Sequence, residues 1–186
     1  MENKEMSRFE AMEIVKDSTS KYILVSVGGK RPQLISQNTN LPDLLMCTVR
    51  MVKNFGKLVC DSAGTKFNAT EILKISAILG NDAMIYNKMI NDLWVYSKNP
   101  SGLDIVSNPT SQYILWNIMK EGNQGIIYNA EQEVIMRVTL LMMIELAKGS
   151  DSAESLSKES MQQSAFSLAM CVIKSLEREG TVNEKK

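Results

Sequence analysis

From Val134 to Ala147, eleven of fourteen residues are Val, Ile, Leu, Met or Ala. A helix that is apolar on nearly every side is stable in water only when other elements surround it. This segment therefore belongs in the middle of the fold and needs amphipathic partners around it. Arg137, Thr139 and Glu145 interrupt it, and it is shorter than the roughly 20 apolar residues that cross a bilayer. No membrane association is expected.

The partners can be read along the chain. Met6, Phe9, Met12 and Val15 recur at helical spacing over residues 5–16. Tyr22 to Val27 is rich in β-formers, Gly28-Gly29-Lys30-Arg31 reads as a turn, and Gln33-Leu34-Ile35 resumes the pattern, giving a small hairpin with Pro32 marking an edge strand. Such a hairpin is marginal alone and must pack on helices or pair with another chain. Asn40, Pro42 and Asp43 predict a helix start, and a stripe of Leu41, Leu45, Val49, Val52, Phe55 and Val59 follows, with Gly64 past its end. Asn68 and Glu71 resemble a capping box ahead of a short helix, Ile72 to Leu79. Gly80-Asn81-Asp82 is expected to break or kink it before a further helix from Ala83 to Tyr96. Residues 97–109 read as a loop, Asn108-Pro109 as the start of a helix through Met119, and Gly122 and Gly125 as its end. Asn129 begins the apolar helix, residues 149–157 form a polar joint, and a last amphipathic helix spans about 158–178.

The expected fold is mostly α: an irregular or orthogonal bundle of six to seven helices with a small N-terminal β-hairpin. The organisation is an arm over residues 1–39, a helical body over 40–179 and a flexible tail over 180–186.

Absences exclude much chemistry. The chain of 186 residues has no histidine, which removes His-based triads, His metal ligands and the ordinary switch near neutral pH. Cys47, Cys60 and Cys171 are widely spaced and odd in number, so they read as small hydrophobes in a reducing, cytoplasmic setting rather than as a zinc site. No metal and no cofactor is expected. Two S-x-x-K matches, Ser18 with Lys21 and Ser155 with Lys158, lack the companion motifs of penicillin-recognising enzymes. Gly28-Gly29-Lys30 lacks the spacing of a phosphate loop. The acidic pairs Glu131/Glu133 and Asp151/Glu154 sit where they complement a helix dipole. Arg137 has Glu133 one turn before it, which gives either a surface ion pair or a buried one that fixes helix register.

Charge is the least random feature. The net charge is zero, but residues 21–74 hold eight basic residues against three acidic, while residues 1–20 and 75–186 are net acidic. Arg50, Lys53 and Lys57 are spaced i, i+3, i+7 and share a helix face, to which a turn could bring Lys30 and Arg31. With Lys66 they form an electrostatic footprint for RNA or single-stranded nucleic acid, without a recognised motif. Phe9, Met12, Tyr22 and Leu24 are the expected self-association contacts of the arm. The chain is thus expected to be a non-enzymatic, self-associating protein that contacts nucleic acid, of coat, nucleocapsid-associated or regulatory type; its abundant Lys, Asn and Ile suit an AT-rich, for instance viral, genome. A second reading is a protein–protein adaptor or antagonist with a helix groove lined by Met and aromatic residues. A third is a small enzyme working through carboxylates.

Overall fold

The computed structural model describes residues 2–27, 32–92, 101–120, 122–128, 130–150 and 156–183. The element order is α1 (Glu2–Lys16), β1 (Tyr22–Ser26), β2 (Gln33–Gln37), α2 (Leu41–Ala63), α3 (Ala69–Asp92), α4 (Gly102–Ser107), β3 (Tyr113–Met119), β4 (Gly122–Tyr128), α5 (Gln132–Ser150) and α6 (Lys158–Asn183). The protein is mostly helical, with six helices and one antiparallel sheet in the order β2-β1-β3-β4 among the described residues.

The sheet explains the β-rich sequence near residue 22. Strand β1 pairs with β2 on one side, Leu24 opposite Ile35, and with β3 on the other, Leu24 opposite Leu115. All five residues of β1 are buried, as expected of a strand covered on both faces. Ile23, Val25, Ile114 and Trp116 point toward Val138, Leu141 and Met142 of α5 and Cys47 and Met51 of α2. Tyr22, Leu24, Tyr113 and Leu115 point the opposite way, toward Ala11 and Ile14 of α1 and Ile105 and Val106 of α4. The hairpin thus finds its neighbour within the chain, and the sheet crosses the expected boundary at residues 39 and 40.

Helix α5 does occupy the centre. Val138, Met142, Met143 and Ile144 are sealed from solvent. One side of it meets the sheet, and the other meets α3 and α6 through Leu140, Met143, Ile144 and Ala147.

Three local expectations are corrected. The predicted helix through Met119 is instead the hairpin β3–β4. Asn108 makes a turn, its Oδ1 accepting from the Thr110 N–H and hydroxyl, and the chain after it is extended. Gly125 lies opposite Trp116, and a β-carbon on it would stand 2.9 Å from the indole ring, so this glycine makes room for a tryptophan rather than ending a helix. Second, α3 runs unbroken through Gly80-Asn81-Asp82. A β-carbon on Gly80 would lie 3.0 Å from Ala165 Cβ; the glycine lets α6 approach closely. Third, the expected loop over 97–109 contains α4, which begins with a capping box between Ser101 and Asp104. Residues 93–100, including the expected helix end at Tyr96, lie outside the described residues. Helix α6 continues through Asn183, into the stretch expected to be a tail.

The other helix starts follow the sequence. Asn40 accepts from Asp43 N–H while the Asp43 carboxylate accepts from Asn40 N–H, and Asn68 accepts from Glu71 N–H. Among the described residues no helix is long and apolar enough to cross a membrane.

Candidate functional site

The basic set comes first because the sequence points to it. Lys30 and Arg31 lie outside the described residues. Arg50, Lys53 and Lys57 sit on α2 as their spacing requires, and the middle one is turned onto a carboxylate. Lys53 is only 13% exposed, and its ammonium lies 2.5 Å from the Glu179 carboxylate of α6. That hydrogen bond holds Glu179 below the usual carboxylate range against the opposing effect of desolvation, with the Lys53 charge, the Ser175 hydroxyl and the Lys57 charge adding to it. Arg50 is half-buried. Lys57 and Lys66 are exposed.

Other cations of the segment are also matched. Lys21 lies 2.8 Å from Asp43, and Lys74 lies 2.8 Å from Glu71. Burial pushes the Asp43 carboxyl up, but the Lys21 hydrogen bond, the Asn40 N–H and the Lys21 charge together pull it below its ordinary value. Within the expected footprint Lys53 is thus turned onto an acid 126 residues away in sequence, while Lys57 and Lys66 stay exposed; Lys21 and Lys74 lie outside it.

The self-association set divides. Tyr22 and Leu24 are buried in the core beneath α1 and α4, which withdraws them from any contact between copies. Met12 is half-buried against the same cluster. Phe9 is 66% exposed. Arg137 pairs with Glu133 one turn away on the surface, so the buried-pair alternative is corrected. Asp151 and Glu154 lie outside the described residues.

Cys47 and Cys60 are buried and free, and Cys171 is partly accessible and free. Burial pushes the Cys47 thiol up to about 11, with the charge of Arg50 opposing, so this sulfur is a packing group rather than a nucleophile.

One concavity was not legible in the sequence. It lies where the start of α2, the end of α5 and the first half of α6 meet, with a volume of about 540 Å³. Leu41, Pro42, Leu45, Leu146, Ala147 and Leu168 form an apolar wall, and Ser160, Gln163, Ser164 and Ser167 form a hydroxyl and amide wall. Among the described residues no ionisable side chain lines it. The four polar residues are spaced i, i+3, i+4, i+7, which places them on one face of α6. Leu41 and Leu45 stay about two-fifths exposed because the capping box fixes the first turn of α2 at the rim. Among the described residues the lining contains neither methionine nor an aromatic residue, unlike the expected groove. Met51, Met142, Met143 and Met161 fill the core instead.

A volume near 540 Å³ falls in the range of roughly 300–1,000 Å³ typical of ligand pockets. An uncharged, two-walled cleft suits a ligand with an apolar side and a neutral hydrogen-bonding edge. No known family, characterised protein or solved structure matches the chain.

Proposed function

We propose that the protein is a non-enzymatic interaction protein that seats the apolar side chains of a partner helix in the cleft between α2, α5 and α6. The carrying observation is the cleft itself, with Leu41 and Leu45 presented on a capped helix end opposite a serine- and glutamine-bearing wall. Its volume, about 540 Å³, matches a few aliphatic side chains at i, i+3 or i+4, and i+7, the anchor pattern of helix-in-groove recognition. This reading takes precedence over nucleic-acid contact because Lys53, in the middle of the expected basic face, already faces the Glu179 carboxylate. Exposed Phe9 supports self-association through α1 as a second reading. Three free cysteines suit a reducing, cytoplasmic setting.

The test is affinity capture from the source cells with three proteins: wild type, Leu45→Arg, and Lys57→Glu with Lys66→Glu. All three positions are exposed, so folding should be little affected. The expected result is a protein partner that survives nuclease and high salt, is lost with Leu45→Arg and is kept with the lysine double variant. Retention that fails under nuclease and with the double variant, but survives Leu45→Arg, overturns the proposal in favour of nucleic-acid binding.

A further inference from the structure

Helix α3 carries an apolar stripe that the described residues leave open to solvent. Ile78, Ile85 and Met89 are 59%, 63% and 53% exposed, and their spacing of i, i+7 and i+11 aligns them along one side of the helix. Single exposed apolar residues are ordinary on a protein surface, whereas a row of them marks a contact. The row has the anchor spacing of a helix seated in a groove. The cleft between α2, α5 and α6 has the matching form. Its polar wall runs from Ser160 to Ser167, which is about 10.5 Å of helix. Ile78 and Ile85 are separated by the same number of residues and so by the same rise. Asn81, exposed on the flank of the stripe, offers an amide to the serine and glutamine wall. The cleft lining holds no ionisable side chain among the described residues, so a stripe of two isoleucines and a methionine enters it without leaving a charge unpaired.

The stripe and the cleft point away from each other. Gly80 faces α6, where a β-carbon on it would stand 3.0 Å from Ala165 Cβ. Ile78, two residues earlier, lies roughly 200° around α3. Across the contact, Ala165 faces α3 while Ser167, two residues later, faces the cleft. A chain therefore cannot seat its own stripe, and two copies cannot exchange stripes about a two-fold axis. The contact these surfaces allow is head to tail, each copy giving its stripe to one neighbour and its cleft to another. The zero net charge of the chain sets up no long-range repulsion between copies.

We infer that the helix seated in the cleft is α3 of a second copy, so that copies join head to tail with Ile78, Ile85 and Met89 of one against Leu41, Leu45 and Leu168 of the next. This rests on the reading of the cleft as a helix seat and names its occupant.

The experiment is sedimentation of the full chain in reducing buffer over roughly 10 μM to 1 mM, the range suited to a small interface. The samples are wild type, Ile85→Glu, Leu45→Arg and an equimolar mixture of the two variants. Both positions are exposed, so each variant should fold. The wild type is expected to grow with concentration past the mass of a dimer. Each variant alone is expected to stay monomeric, one lacking the stripe and the other the seat. The mixture is expected to form a one-to-one heterodimer and stop there, because one intact stripe meets one intact seat; that result also shows both variants to be folded. The inference is overturned if the wild type stays monomeric or stops at a dimer, if either variant grows as the wild type does, or if the mixture stays monomeric. A monomeric wild type whose captured partner is lost with Leu45→Arg overturns the inference alone and leaves the cleft a seat for the helix of a different chain.

Discussion

The sheet and the outer helix pair contain similar apolar residues with opposite fates. Ile23, Leu24, Ile114 and Leu115 in β1 and β3 are fully buried because α1 and α4 cover one face of the sheet and α2 and α5 the other. In α3, Ile72, Ile75 and Leu79 reach the core, yet Ile78, Ile85 and Met89 on another face of the same helix stand more than half exposed. In α6, Leu168 and Val172 are buried while Phe166 is 58% exposed. The difference is layering. A residue type alone does not determine burial; the number of elements stacked above it does. Apolar side chains in the inner layers hold the fold together, and those in the outer layer are free to contact something else.

The largest effect that tests this contrast is the loss of a side chain from the doubly covered sheet. Ile114→Ala should lower the stability by about 2–5 kcal/mol, whereas Ile85→Ala should stay within about 0.5 kcal/mol of wild type. Urea unfolding measures both, and equal losses would break the comparison. Next is the packing of Trp116 over Gly125. Gly125→Val forces the indole from its place in the sheet face and should cost about 1–3 kcal/mol, with a change in tryptophan fluorescence. A smaller effect of opposite sign belongs to the outer seam. Ser76→Ala removes a buried hydroxyl without a partner and should raise stability by about 1 kcal/mol; a loss of that size would mean that the hydroxyl is satisfied.

The smallest effect is electrostatic. Asp43 and Glu179 both titrate below their ordinary values. Their contribution is therefore complete above the ordinary carboxylate range and is lost as the pH falls through their lowered values. Glu179 is mostly exposed, so removing its pair by Lys53→Ala should cost only about 0–1 kcal/mol at neutral pH. Thermal melts from neutral pH to acid should show the wild-type and Lys53→Ala curves converging at the acid end. A gap that widens on acidification would contradict this assignment.

Much of the helical scaffold was legible because its signals are local. Asn40 with Asp43 and Asn68 with Glu71 cap the helices their positions predict, and the apolar run from Val134 lies at the centre. The hairpin β3–β4 was not legible. A strand buried on both faces shows no alternation, so Tyr113 to Trp116 could serve a helix or a sheet, and the aromatic content with the Asn108 turn was the available hint. Gly80 and Gly125 were misread for a related reason: each is required by a neighbour distant in sequence, Ala165 and Trp116 respectively. The surroundings of the candidate site were hidden for the same reason. Spacing placed Lys53 on a helix face, but nothing local places Glu179 beside it, and the cleft draws its walls from three helices whose meeting only tertiary packing decides.

The most direct measurement is amide hydrogen exchange on the protein with and without the partner recovered by affinity capture. Protection confined to residues 41–46, 146–148 and 160–168 is the result the account predicts. Protection centred instead on residues 50–66, with the cleft exchanging as freely as before, would contradict it.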